Sequence, residues 1–164
     1  MNVKYIFLTD QFYTDYSNCS EIEKKSDRPY VQVYVKLNNI DFAIPLRSNI
    51  GHKYALWTDK SNRCGVDFSK AVVIVDKKYI DTTKKPYIRP YEFKALIGKE
   101  YDIEKGLANY IREYKKTKEN PNKHEKRLLL RYSTMQYFEK YIYEKEYWIK
   151  KIIKLLKERI ESIH

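Results

Sequence analysis

Tyr30-Val31-Gln32-Val33-Tyr34-Val35-Lys36-Leu37-Asn38-Asn39-Ile40-Asp41-Phe42-Ala43-Ile44-Pro45 is the stretch that decides the fold. β-Branched and aromatic residues dominate its first half, and such side chains pack well on a pleated, half-buried surface. Asn38-Asn39 then interrupts two strand-forming runs with two residues that tolerate the positive φ of a tight hairpin turn. The stretch predicts an antiparallel hairpin with strands at 30–37 and 40–45. Pro45 ends the second strand, because it has no N–H to give to a ladder.

Working outward, residues 3–8 read as another strand, and Thr9-Asp10 offers a cap for a short helix through Tyr16. The segment 17–29 is polar and reads as a loop. Beyond the hairpin, Tyr54-Ala55-Leu56-Trp57 reads as a strand and 59–65 as a polar connection. Ala71-Val72-Val73-Ile74-Val75, five apolar residues bounded by charge, reads as a buried strand. Residues 92–97 read as a further strand closed by Gly98. The character then changes. Ile103, Leu107, Tyr110, Ile111 and Tyr114 recur at helical spacing between 100 and 117. Asn120-Pro121-Asn122 breaks that helix and opens a short one through Leu130. From 134 to 163, Phe138, Ile142, Ile149, Ile152, Leu156, Ile160 and Ile163 form one stripe of a long helix. The expected fold is α+β: a twisted, mainly antiparallel sheet, open or barrel-like, followed by three helices, the last one long. Without repeat, low-complexity tract or Gly/Ser linker, 1–164 reads as a single domain.

Hydrophobic residues make up 43% of the 164 and charged residues 34%, a balance that fits neither a disordered chain nor a membrane-spanning one. No apolar run approaches the roughly 20 residues a bilayer helix needs. The N-terminal apolar stretch is too short for a signal peptide and meets Asp10 at once. Cys19 and Cys64 show neither metal-ligand spacing nor a disulfide framework, so reduced thiols in the cytoplasm are expected. The net charge is +11 and unevenly placed: residues 1–46 carry 5 Lys and Arg against 6 Asp and Glu, 47–98 carry 11 against 5, and 99–164 carry 17 against 11. Such a surface concentrates polyanions, although a lysine-rich coding bias produces the same number. The 17 tyrosines suit stacking on single-stranded RNA and ordinary packing alike.

After the hairpin comes Leu46-Arg47-Ser48-Asn49-Ile50-Gly51-His52-Lys53, which crowds a guanidinium, a hydroxyl, an imidazole and an ammonium into one turn. Turn N–H groups beside Arg47 and Ser48 can hold a phosphate oxygen, and His52 is the nearby side chain that titrates near neutrality. The same loop also reads as a solvated turn. Other titratable groups are weaker candidates. Asp10, Asp15, Glu21, Glu23 and Asp27 match no metal loop and read as a solvated acidic segment; His124 and His164 read as surface residues.

Three further motifs accompany this loop: Arg28-Pro29-Tyr30 before the hairpin, Gly65-Val66-Asp67-Phe68-Ser69-Lys70 before the buried strand, and Leu130-Arg131-Tyr132-Ser133-Thr134-Met135 at the last helix. Taken in order with Pro45-Leu46-Arg47-Ser48 and His52, they resemble the toxins of type III toxin–antitoxin systems, the ToxN/AbiQ group and most of all its TenpN branch. The resemblance extends to about residue 143. It implies a metal-independent, cofactor-free endoribonuclease, of the kind used in phage defence by abortive infection. It also implies a pseudoknotted, repeat-encoded RNA antitoxin as inhibitor and an oligomeric protein–RNA assembly. The family's better-known members have Lys at the position of Arg28, Thr-Ser at Arg47-Ser48, and a Lys where this chain has Ile50, with Lys53 the nearest substitute. His52 becomes the candidate for acid/base work.

The expected chemistry is attack by the RNA's own 2′-hydroxyl, leaving a 2′,3′-cyclic phosphate. His52 would move the proton, Arg28 and Arg47 would clamp nonbridging oxygens, and Ser48 would position the phosphate. Lys53, Lys60, Arg63 and Lys70 would follow the RNA backbone, with Tyr30 or Tyr54 stacking a base. Two other readings use the same residues: a noncatalytic basic nucleic-acid-binding protein, and an interaction module whose long helix docks a protein.

Overall fold

The computed structural model describes residues 2–24 and 29–163, and for 145–148 the backbone alone. The expected hairpin is its centre. Strands β2 (Gln32–Leu37) and β3 (Ile40–Arg47) pair antiparallel from Gln32↔Pro45 to Leu37↔Ile40. Asn38 and Asn39 turn the chain at φ 51 and 62, both left-handed, which an asparagine accepts at little cost.

Around the hairpin, β1 (Lys4–Leu8) pairs with β2 and also with β7 (Ile80–Asp81). On the other side, β3 pairs with β5 (Cys64–Asp67), which pairs in turn with β4 (Ala55–Asp59). A two-residue strand, β6 (Val72–Val73), also lies on β3. Among the described residues the result is a seven-stranded antiparallel sheet in the order β4-β5-β3-β2-β1-β7, with β6 on β3. It is open, with β4 and β7 as edges, rather than a barrel.

Pro45 does not end β3, which runs on through Arg47. In the alternation of β3, the N–H groups of 42, 44 and 46 face β2 (Leu46 N donates to Val31 O at 2.9 Å), so the nitrogen of Pro45 faces the other way. That edge of β3 changes partner there, from β6 at Phe42–Ala43 to β5 at Leu46–Arg47. The missing donor falls in the gap between two partners and costs nothing. With strands on both edges and helices against it, β3 is buried from Phe42 to Leu46.

Among the described residues six helices complete the fold: α1 (Asp10–Asp15), α2 (Pro90–Leu96), α3 (Glu100–Glu119), α4 (His124–Tyr132), α5 (Glu139–Ile142) and α6 (Glu144–Glu161). As expected, Thr9 caps α1, its Oγ1 accepting from Phe12 N at 3.3 Å. The stripe of α3 is buried on schedule: Ile103, Leu107, Tyr110, Ile111 and Tyr114 face the sheet. No described helix is long and apolar enough to cross a membrane.

Four expected elements are different. The stretch 59–65 is a connection only at 60–63, since Asp59 closes β4 and Cys64 and Gly65 open β5. Residues 92–96 belong to helix α2 and Ile97 is its C-cap, so no strand forms here. Pro90 stands in its first turn, Glu92 accepts from Arg89 N at 3.4 Å, and Gly98 at φ 70 closes it. The apolar run 71–75 contributes only two ladder residues, and Val75 is exposed, because 3-10 turns at Phe68–Lys70 and Lys77–Tyr79 take the chain on either side. The long helix 134–163 is broken into a 3-10 turn (Thr134–Tyr137), α5 and α6. Buried Ser133 caps that turn through Met135 N at 3.2 Å, and buried Thr134 donates to Ser69 O at 3.1 Å and to Ala71 O. The stripe splits accordingly: Phe138 and Ile142 are in the core, while Ile149, Ile152, Leu156, Ile160 and Ile163 face outward.

Gly106 of α3 lets Phe68 reach the helix, since a Cβ there would lie 2.3 Å from the tip of the Phe68 ring. Helix propensity alone favours Ala over Gly by about 1 kcal/mol, but overpacking a filled core costs roughly 1–3 kcal/mol. Phe68 is buried and flanked by the fixed residues Asp67 and Ser69, so the clash wins. Gly106→Ala is expected to lower the urea midpoint; an unchanged or raised midpoint would show that Phe68 moves aside freely.

Candidate functional site

Strand β5 ends on Asp67, and every contact of this carboxylate points inward. It is 0% exposed. Its Oδ1 accepts from Ser69 N at 3.0 Å, capping the 3-10 turn, and from Ser69 Oγ at 2.6 Å. His52 Nε2 lies 3.3 Å from the same oxygen and 3.0 Å from Ser69 Oγ. Oδ2 accepts from Nη1 of Arg47, the last residue of β3. Burial pushes the Asp67 carboxyl up, but His52, Ser69 and Arg47 together hold it below the ordinary carboxylate value.

Arg47 is spoken for at both ends of its fork. While Nη1 meets Asp67, Nη2 lies 2.7 Å from Glu23 Oε1. Burial works against its charge, yet the two carboxylates keep the guanidinium above its ordinary pKa. Its Nε is buried with no hydrogen-bond partner among the described residues. His52 is likewise held at both nitrogens, because Nδ1 accepts from Tyr54 N at 3.1 Å. That bond assigns the neutral tautomer, with the lone pair on Nδ1 and the proton on Nε2. The side chain is 32% exposed, so the ring is reachable from solvent.

The remaining expected residues fall around this centre. Tyr54 packs beside His52 (centroids 5.7 Å apart) and edge-on against Tyr110 (5.3 Å), whose hydroxyl donates to Ser133 Oγ at 2.7 Å. Lys53 is exposed with its Nζ 5.6 Å above the Tyr54 ring. Lys70 Nζ donates to Glu21 O at 3.1 Å and Tyr132 O at 3.0 Å, and burial draws its pKa below the ordinary lysine value. Lys60 and Arg63 sit in the exposed β4–β5 turn. Arg63, at φ 54, fastens the loop through Ile50 N to its carbonyl at 3.1 Å and through its Nη2 to Asn49 Oδ1 at 3.4 Å. Arg28 lies outside the described residues, as does Asp27.

A cleft of about 400 Å³ opens on the far side of Arg47. Tyr30, Arg47 and exposed Ser48 line it together with Tyr87, Arg89 and Glu92. His52 is not among the lining residues. Arg47 joins two groups of residues: the cleft wall with Ser48 and Tyr30, and the buried network with Asp67, Ser69 and His52.

Sequence reasoning missed Asp67, Ser69 and Glu23 as members of the site, and Tyr87, Arg89 and Glu92 as walls of the cleft. A signal for the first two was present. A carboxylate inside the apolar run Cys64-Gly65-Val66-Asp67-Phe68 must be buried, and a buried carboxylate must be paired. The Asp-x-Ser spacing is that of a side chain capping its own turn. Nothing in the sequence announces that Glu23 reaches Arg47.

No protein-family model matches the chain, no curated protein does, and no solved structure does.

Removing the Asp67 charge leaves Arg47 half-paired in a buried setting, and breaking one partner of such a pair costs about 3 kcal/mol. Asp67→Asn is expected to lose that much in urea denaturation at pH 7. The pH dependence has a definite sign. Because the folded carboxyl titrates below its unfolded value of about 3.9, its stabilisation is complete above that value and is lost as pH falls through the lower folded one. The wild type is therefore expected to lose stability more steeply than Asp67→Asn as pH falls below about 3.9; parallel acid limbs would contradict the assignment.

Proposed function

We propose that this chain is a metal-independent endoribonuclease, a toxin of the type III toxin–antitoxin kind that acts in the cytoplasm. One observation carries the reading. The two motifs that bear the family resemblance, Pro45-Leu46-Arg47-Ser48 with His52 and Gly65-Val66-Asp67-Phe68-Ser69, meet side chain to side chain at Asp67. The pairing of β3 with β5 at Arg47↔Gly65 brings the two motifs to one buried carboxylate. Buried, perturbed titratable groups beside a cleft are also where chemistry concentrates.

In the proposed reaction the 2′-hydroxyl attacks the adjacent phosphorus, the bond to the 5′-oxygen breaks, and a 2′,3′-cyclic phosphate and a 5′-hydroxyl result. Ser48 and Arg47 hold the nonbridging oxygens at the cleft wall. His52 Nδ1 gives up its bond from Tyr54 N, takes the 2′-hydroxyl proton and returns it to the departing 5′-oxygen, while Asp67 and Ser69 hold Nε2. Asp67 is a positioning residue that fixes both groups. Lys53, Lys60 and Arg63 follow the RNA backbone outside, and a repeat-encoded pseudoknotted RNA covers the same basic face as inhibitor in a protein–RNA assembly.

The decisive experiment incubates the purified protein with AU-rich RNA in EDTA, beside His52→Ala and Ser48→Ala. Cleavage by the wild type is expected to survive the chelator, and the histidine variant to fall by about 10²–10⁴-fold, the usual weight of one acid/base group. Cleavage that EDTA abolishes, or variants as active as the wild type, would overturn the mechanism. Salt-dependent RNA binding without any cutting would leave a noncatalytic RNA-binding protein.

Glu23 gives a second expected outcome. Its carboxylate stands on Arg47 where a phosphate oxygen would have to stand. Glu23→Gln is expected to bind noncleavable RNA more tightly than the wild type in anisotropy titrations, and weaker binding would mean that Glu23 belongs to the RNA site itself.

A further inference from the structure

The cleft beside Ser48 extends onto side chains from a separate part of the chain. Tyr87 and Arg89 come from the segment before α2, and Glu92 from its first turn. Tyr87 is 76% exposed, so its ring contributes almost nothing to the core. Arg89 is held in the wall by Nη1 donating to Tyr91 Oη at 3.1 Å. Glu92 uses Oε2 to accept from Arg89 N, and its Oε1 has no hydrogen-bond partner among the described residues. Tyr30 lines the same cleft. Aromatic faces, a fixed guanidinium and a carboxylate in about 400 Å³ make a site for something flat, anionic at one end and hydrogen-donating at the other.

We propose that this end of the cleft is a nucleobase subsite, selective for a base that carries an exocyclic amine. The proposal rests on RNA being the partner of the cleft. Tyr87 stacks the base, because every base has a π-face and a solvent-exposed ring is available to meet it. Arg89 meets the phosphate beside it. Glu92 supplies the selectivity. An ionised carboxylate only accepts, so its free oxygen welcomes the 4-amino group of cytosine, or the amines of adenine and guanine. Uracil has the shape of cytosine but presents a carbonyl oxygen at the same position, and two acceptors facing each other repel.

The test uses the intact protein and short, fluorescently labelled 2′-O-methyl oligonucleotides, which have no free 2′-hydroxyl to attack. Oligo(C) and oligo(U) are titrated by anisotropy against wild type, Tyr87→Ala, Tyr87→Phe and Glu92→Gln. The wild type is expected to prefer oligo(C). Tyr87→Ala is expected to lose about tenfold in affinity for both, within the range for one stacked base, while Tyr87→Phe keeps it. Glu92→Gln, whose amide also donates, is expected to shrink the preference for C over U with little loss of total binding. Unchanged binding by Tyr87→Ala, or an unchanged preference in Glu92→Gln, would overturn the subsite. Tyr87 is exposed and Gln keeps the acceptor that caps α2, so neither outcome reduces to misfolding. These results separate from the cleavage assay: a working base subsite in a protein that does not cut RNA would sink the nuclease reading alone. Active cleavage with a neutral Tyr87→Ala would sink this one alone, and no RNA binding at all would sink both.

Discussion

A carboxylate taken wholly out of water must be answered by charge and hydrogen bonds, and in this molecule the answer to Asp67 organises everything around it. Its partners come from three places: Arg47 from the end of β3, His52 from the following loop, and Ser69 from the turn that β5 runs into. Each of these elements would take one contact from the charge if it shifted alone. The ion pair thus does for the loop 48–53 what packing does for the core. It fixes a segment that has few apolar side chains of its own, Ile50 being the buried exception. Thr134 extends the same arrangement, tying the carbonyls of Ser69 and Ala71 to the C-terminal helices.

Much of the fold was legible because local chemistry and tertiary context agreed. Two asparagines between β-branched runs specify a turn with left-handed residues, and the hairpin follows. The 3.6-residue period of α3 survives because one side of that helix really is buried. Disagreement came where a competing local signal was stronger. Pro90, Glu92 and Gly98 mark the start and stop of a helix, and they outweigh the apolar residues that made 92–97 read as a strand. Likewise, the stripe from 134 onward is continuous in sequence but not in space, since buried Ser133 and Thr134 use their hydroxyls to end one helix before the next begins. Strands β6 and β7 are two residues long, too short to leave a period at all.

The site was legible in a different measure. Arg47, Ser48, His52 and Lys53 stand out as chemical types crowded into a few residues, and such crowding can be read. What they bond to cannot. Glu23 lies in a segment whose acidity suggested solvent, yet it meets Arg47 from 24 positions away in the numbering. Tyr87 and Arg89 belong to no motif in the sequence, and only the fold brings them to the cleft. Pairwise contacts of this kind are set by topology, and no single-residue property encodes them.

The contact between Glu23 and Arg47 also bears on how strongly salt would govern binding. A polyanion seated on a free surface arginine releases its condensed counterions, and each such contact steepens the decline of affinity with ionic strength. At Arg47 the place is already filled by a carboxylate belonging to the protein. A phosphate that seats there exchanges one tethered anion for another, and the displaced Glu23 stays nearby as a local repulsion. A chain of net charge +11 therefore holds an internal counterion on Arg47. In the proposed RNA complex the salt dependence would follow the exposed lysines and arginines of the rim, with Arg47 setting geometry.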